Sequence, residues 1–198
     1  MTIADIQTVS GDYVQGSFSL LALSGERARA SLYFARFVDL HARVQEFEIA
    51  RYYFRAALSE FRSIFDLLNA DLKGDGLSKQ WERSRFKSEL EAHPLVSILK
   101  KVRNCAVHSA LVRGFDKEFS VTVLGDGPER REDIPSIFVD SLDRQALARE
   151  IADVPDAHLE WFNRQAARWP AHLLIQEAIY QTSVPLRNFL VIARQSAV

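Results

Sequence analysis

The chain has a single cysteine, Cys105, in 198 residues. That excludes an intramolecular disulfide and any zinc site built on several thiolates. There is no apolar run of the length needed to cross a bilayer, and the start Met1-Thr2-Ile3-Ala4-Asp5 lacks the basic and then hydrophobic layout of a secretory signal. A cytoplasmic protein with no membrane association is therefore expected. The five histidines (His41, His93, His108, His158, His172) form no H-E-x-x-H spacing, so no metal site is expected. Gly74-Asp75-Gly76 and Gly125-Asp126-Gly127 lack the strand context and following Lys-Ser/Thr of a phosphate loop, and no G-x-S-x-G elbow occurs. These absences argue against a metalloenzyme, a nucleotide hydrolase or an esterase, and no cofactor is expected. An excess of one charge is missing as well: the formal charge is -1, which by itself speaks neither for nor against nucleic acid.

Glycine and proline are scarce and clustered, and their gaps outline the fold. None occurs between Glu26 and Lys73, only Pro94 between Leu77 and Arg113, and no glycine after Gly127. Long helices fill such gaps. In the first, Tyr33, Leu40, Phe47, Phe54, Phe61 and Leu68 recur every seven residues, with Phe37, Val44, Leu58 and Phe65 interleaved and Arg51 breaking the second row. One straight helix over 26–73 would be about 72 Å long, against a radius of gyration of about 16 Å for a compact domain of this size. A break is expected, although the stripe itself does not show one. In the second gap Trp81 and Phe86 anchor a short helix within Leu77 to Glu91. His93-Pro94 is a natural entry to a further helix running to about Arg113.

After Gly114 the periodicity changes. Phe119, Val121 and Val123 alternate with Ser120 and Thr122, Ile137-Phe138-Val139 forms a second apolar run, and a polar loop lies between them; this predicts a β-hairpin over about 118–140. Helical patterns return from Asp143 through Ala152, from Pro155 past a kink at Pro170, and from Pro185 to Arg194. The segment from Tyr13 to Leu20 is compatible with a strand. With 47% apolar and 26% charged residues, the chain has the material for one sizeable core. The expectation is a mainly α single domain over 1–198. It comprises a helical bundle over about 26–113, a small β-hairpin, and C-terminal helices over about 143–195.

The chemistry concentrates in Arg103-Asn104-Cys105-Ala106-Val107-His108. A permanent guanidinium cation, a carboxamide and an imidazole that titrates near neutral pH lie within one and a half helical turns, a set suited to phosphate chemistry. Leu95, Ile98, Leu99, Val102, Cys105, Ala106 and Ser109 form the inner stripe of this helix. Cys105 is thereby read as a small core residue. Asn104 and His108 share the opposite face, whereas Arg103 lies about 140° around the helix from His108. One copy does not converge the two, which is a reason to expect a homodimer with its twofold axis near them. From Lys79 to Lys117 nine basic residues face four acids. Lys100, Lys101 and Arg113 are candidate contacts to RNA within this stretch. A structural reading stays open beside the catalytic one: Arg103 pairing Glu60 or Asp66 in a network, Asn104 fixing helix register, and His108 lying on the surface.

Arg103-Asn104-x-x-x-His108 in a helix resembles the signature of the HEPN superfamily. So does the preceding helix Tyr53-Phe54-Arg55-Ala56-Ala57-Leu58-Ser59-Glu60-Phe61-Arg62-Ser63-Ile64-Phe65-Asp66, followed by Gln80-Trp81 and then the motif helix. The similarity covers 26–113. It implies a helical bundle, with two antiparallel helices turning near His41 to Phe47. It further implies a metal-independent endoribonuclease acting on single-stranded RNA in a toxin-antitoxin or antiviral system, with an antitoxin as a further partner. In that chemistry the RNA's 2'-hydroxyl attacks the adjacent phosphate. His108 exchanges a proton at the attacking or leaving oxygen, Arg103 stabilises charge on the phosphate, and Asn104 orients His108 or the substrate. Arg62 and Ser63 support the motif from the facing helix, and packing of polar residues between helices explains them equally well. The alternative is a noncatalytic HEPN module that binds RNA or a protein partner.

Overall fold

The computed structural model describes residues 18, 21–108, 114–123, 129–144 and 151–195; within these, 103–108, 114, 115 and 123 are described by their backbone alone. Among the described residues the chain is mainly helical with one two-stranded antiparallel sheet. Helices α1 (Ala22–Arg43) and α2 (Phe47–Gly74) form an antiparallel hairpin. They are joined in the interval where a turn was expected. The turn is a Schellman closure: Glu46 N–H donates to the His41 carbonyl and Gln45 N–H to the Ala42 carbonyl, both at 2.9 Å. Gln45 occupies the left-handed region at φ 61°, where a side chain costs energy that glycine does not. Gln45→Gly is expected to raise stability by about 0.5–1 kcal/mol. Equilibrium denaturation would show this as a higher midpoint at unchanged slope.

The packing inside the hairpin corrects half of the seven-residue stripe. On α2 the expected Phe54, Leu58, Phe61 and Leu68 are buried. On α1 the buried face is instead Ser24, Gly25, Ala28, Ser31, Ala35, Val38 and Ala42, while Tyr33 and Val44 are 58% and 65% exposed. Small residues at the same period let the two backbones approach closely, and large side chains from α2 fill the seam. Polar atoms in the seam are satisfied across it. Ser31 Oγ donates to the Ala57 carbonyl at 2.8 Å, and Asp71 accepts from the backbone N–H of Leu23 and of Ser24 at 3.1 and 2.8 Å. Asp71 thus caps α1 from the other helix, where Leu21 supplies no side-chain cap.

The short helix expected over Leu77 to Glu91 is two, α3 (Ser78–Glu82) and α4 (Arg85–Ala92). Ser84 separates them, its Oγ accepting from Lys87 N–H at 3.2 Å. Trp81 and Phe86 are both buried against Phe189. Helix α5 (Pro94–His108) starts at the expected proline, and the expected continuation to Arg113 lies outside the described residues. Strands β1 (Gly114–Val123) and β2 (Arg130–Val139) pair from Gly114 with Val139 to Val123 with Arg130. The hairpin therefore opens four residues earlier than the alternation marks.

The C-terminal part departs most from expectation. The helix expected from Asp143 through Ala152 lies mostly outside the described residues; those described at its two ends, 143, 144, 151 and 152, are turns and irregular backbone. The Arg144 guanidinium donates to the carbonyls of Ile151, Ala152 and Val154, and the Ile151 carbonyl also accepts from Val154 N–H at 3.0 Å, closing a turn. Helix α6 (Asp156–Arg168) ends before Pro170, so that proline separates two helices rather than kinking one. Helix α7 (Ala171–Gln195) runs unbroken through Pro185, where a new start was expected. Thr182 Oγ1 and Ser183 Oγ donate to the Ala178 and Tyr180 carbonyls at 2.8 and 2.7 Å, binding backbone acceptors in the turn ahead of the proline. Buried on most of its length, α7 packs against α1, α2, α4 and α5. No helix among the described residues is long and apolar enough to cross a membrane. The proposed strand over Tyr13 to Leu20 falls outside the described residues apart from Phe18, which is buried.

Candidate functional site

Helix α5 buries Leu95, Ile98, Leu99 and Val102, as its inner stripe requires, together with Val96. Its other side joins α2 at a cavity of about 410 Å³ whose wall includes Arg62, Phe65 and Asn69 from α2 and Ser97, Lys100 and Lys101 from α5. Three of the residues singled out in the sequence, Arg62, Lys100 and Lys101, therefore meet at one place. Ser63 does not join them: its Oγ donates to the Ser59 carbonyl of its own helix at 2.9 Å.

The cations around this cavity differ in their state. Lys101 pairs with Asp153, and Arg62 lies 3.3 Å from Asp66 one turn away. Lys87, on the opposite wall, reaches Glu82 and Glu91 at 2.5 and 3.6 Å. Lys100 instead lies with its ammonium 4.3 Å from the centroid of the Phe65 ring, a cation–π contact. Burial, and after it the Arg62 charge, holds the Lys100 pKa below the usual lysine value, with Glu91 and Asp66 opposing. A bound anion would relieve both causes, so the Arg62–Lys100 pair is the part of the cavity best suited to a phosphate oxygen. Phe65 and Asp153 were not anticipated. They come from segments remote from the motif: the apolar series marks Phe65 as a core residue rather than a site residue, and no local pattern marks Asp153.

The side chains of Arg103, Asn104 and His108 lie outside the described residues, as does all of Arg113. The backbone of α5 places positions 103, 104 and 108 around the helix axis. At roughly 100° per residue, positions 104 and 108 fall within the arc spanned by Val96, Ser97, Lys100 and Lys101, and position 103 falls just beyond its Val96 edge. Position 104 is about 6 Å along the axis from Lys100 and position 108 about 12 Å.

A second cavity, of about 330 Å³, lies at the N-terminal end of α5, against His93, Trp161, Trp169, Glu177 and Gln181. Burial lowers the His93 pKa, with Glu177 opposing and His158 adding to the effect. Neutral imidazole and two indole walls make this cavity a poor receptor for a phosphate. The chain matches no family model, no curated protein and no solved structure.

Proposed function

We propose that the chain is a HEPN-type, metal-independent endoribonuclease that cuts single-stranded RNA as a homodimer, in a toxin-antitoxin or antiviral setting. The observation that carries this reading is the meeting of Arg62 and Lys100 at one cavity, on the stripe of α5 that positions 104 and 108 extend. A phosphodiester held by Arg62 and Lys100 has its next linkage within reach of the following two turns of α5. There His108 exchanges the proton of the 2'-hydroxyl or of the leaving 5'-oxygen, and Arg103, supplied across the twofold axis, stabilises the charge that develops on the phosphate. Asn104 orients the imidazole or the substrate.

One observation favours the noncatalytic alternative. Carboxylates already engage Lys87, Lys101 and Arg62 around the cavity, as they would in a module whose polar residues fix helix register. The deciding experiment is incubation of the purified dimer, stripped of any bound partner, with single-stranded RNA in the presence of a chelator. Cleavage leaving 2',3'-cyclic phosphate or 3'-phosphate ends is expected. Intact RNA across several substrates would assign the noncatalytic role. Sedimentation at micromolar concentration tests the dimer, and a strict monomer would remove the twofold site.

A further inference from the structure

We infer that the outer face of the α1–α2 hairpin is a second binding surface, a stacking platform for the bases of single-stranded nucleic acid. It rests on the preceding reading only for the ligand being RNA, and it uses none of the same residues. Large side chains turned out of the hairpin seam collect on this face. Tyr33 contacts Phe37 at 4.7 Å between ring centroids, Phe37 contacts Tyr53 at 5.0 Å, and Tyr53 contacts His41 and Tyr52 at 5.2 and 5.9 Å. The two outermost rings, Tyr33 and Tyr52, are 58% and 69% exposed. The rings meet tilted, stacked or T-shaped, at interplanar angles of 51°, 37°, 15° and 76°, so that neighbours hold one another in place and the exposed outer rings offer surface to planar groups.

Charge selects the occupant. Arg29 and Arg36 lie seven residues apart on the exposed side of α1, and Arg55 is one turn from Tyr52 on α2. All three are exposed and make no ion pair or hydrogen bond with a described residue. Elsewhere on the hairpin Arg27 pairs with Glu60, Arg43 with Asp39, and Arg51 with Glu48 and Asp116. The acids here are partly spent as well, Glu46 on His41 at 2.6 Å and Glu48 on Arg51. What remains is an aromatic strip flanked by three guanidinium groups, against one exposed acid that likewise pairs with no described residue, Glu26, one turn from Arg29. A second copy docked face to face would set three such cations against three more with little acid to offset them. An anionic polymer with planar bases satisfies rings and cations together.

The test is fluorescence anisotropy with a fluorescein-labelled, fully 2'-O-methylated oligouridylate, which binds but is not cleaved, alongside cleavage of unmodified RNA. The Tyr33→Ala/Tyr52→Ala double variant is expected to bind at least ten-fold more weakly at unchanged melting temperature, and the Tyr33→Phe/Tyr52→Phe variant to bind as the unsubstituted protein does. Replacing Arg29, Arg36 and Arg55 with glutamine should flatten the slope of log affinity against log salt by about 2. Binding by a protein that cuts nothing, lost in the alanine variant, would support the platform and sink the nuclease. Cleavage with no loss of binding in the alanine variant would do the reverse. Alanine variants that sediment as monomers when the unsubstituted protein is a dimer would assign the face to a second copy and overturn the inference.

Discussion

His108→Ala is expected to lower the rate of RNA cleavage by about 10²-fold or more while leaving RNA affinity nearly unchanged. General acid–base transfer needs a group whose pKa lies near the working pH, and imidazole is the side chain that meets this without perturbation. The other groups around the cavity that answer to the motif are cations: Arg62 and Lys101 engage carboxylates, and Lys100 is held against the Phe65 ring. Their part is to hold phosphate, and the carboxylates of the cavity wall, Glu82, Glu91 and Asp153, are engaged by Lys87 and Lys101, so no described group around the cavity is placed to take over from the imidazole. Arg62→Ala and Lys100→Ala act on a different quantity. They remove electrostatic attraction to the backbone, should weaken binding, and should reduce its salt dependence by slightly less than one unit each. Arg103→Lys retains the charge but loses the planar fork, and should impair turnover more than affinity. Single-turnover rates measured beside affinities for the uncleavable oligonucleotide separate these effects. A His108→Ala variant that cuts at the unsubstituted rate would exclude the imidazole from the reaction.

The break between α1 and α2 was legible because a single helix would have outrun any compact domain, and the resemblance placed the turn near His41 to Phe47. Which stripe of α1 faces inward was not legible from the large side chains. Two seven-residue series run along that helix, and bulk marks the one through Tyr33 and Leu40, whereas Ala28, Ser31, Ala35 and Ala42 make the contact. Close approach of backbones favours small residues, and a hydrophobic series alone does not register it. Pro185 misled for a related reason: proline's cost in a helix is local, and burial of nearly every turn of α7 outweighs it. The α5 inner stripe as far as Val102 and the cations Lys100 and Lys101 were readable from helical period and charge, whereas the burial of Cys105, Ala106 and Ser109 lies outside the described residues. The ring beneath Lys100 and the carboxylate on Lys101 were not, because tertiary folding alone brings Phe65 and Asp153 there.

Stability is expected to fall by about 3 kcal/mol as pH drops from 6.5 to 4, with His172 as the main cause. His172 lies on α7 in the core, and its pKa is pushed down to about 4, chiefly by burial. Asp39 opposes this and Arg43 adds to it. The carboxylate is a weak partner: Asp39 Oδ1 lies 3.7 Å from His172 Nε2, too far for a hydrogen bond, while Asp39 Oδ2 accepts from Arg43 at 2.9 Å. His172 Nδ1 has no partner among the described residues either. The geometry that resembles an ion pair is therefore a contact of neutral imidazole at pH 7, since desolvation exceeds what a carboxylate already engaged by arginine returns. The sign follows from where the proton binds. Between pH 6.5 and 4 the unfolded chain takes up a proton that the folded chain refuses, so unfolding is favoured progressively as pH falls. Above 6.5 both forms are neutral and the full stability is present, and below 4 both are protonated and the loss is complete. His93, also lowered by burial, adds a share of the same sign. Denaturant titrations at pH 7.5, 5.5 and 4.5 measure the slope directly, and His172→Leu should flatten most of it by removing the titrating group. Equal stability of the unsubstituted protein at all three pH values would mean that His172 protonates in place, with Asp39 released from Arg43 to receive it.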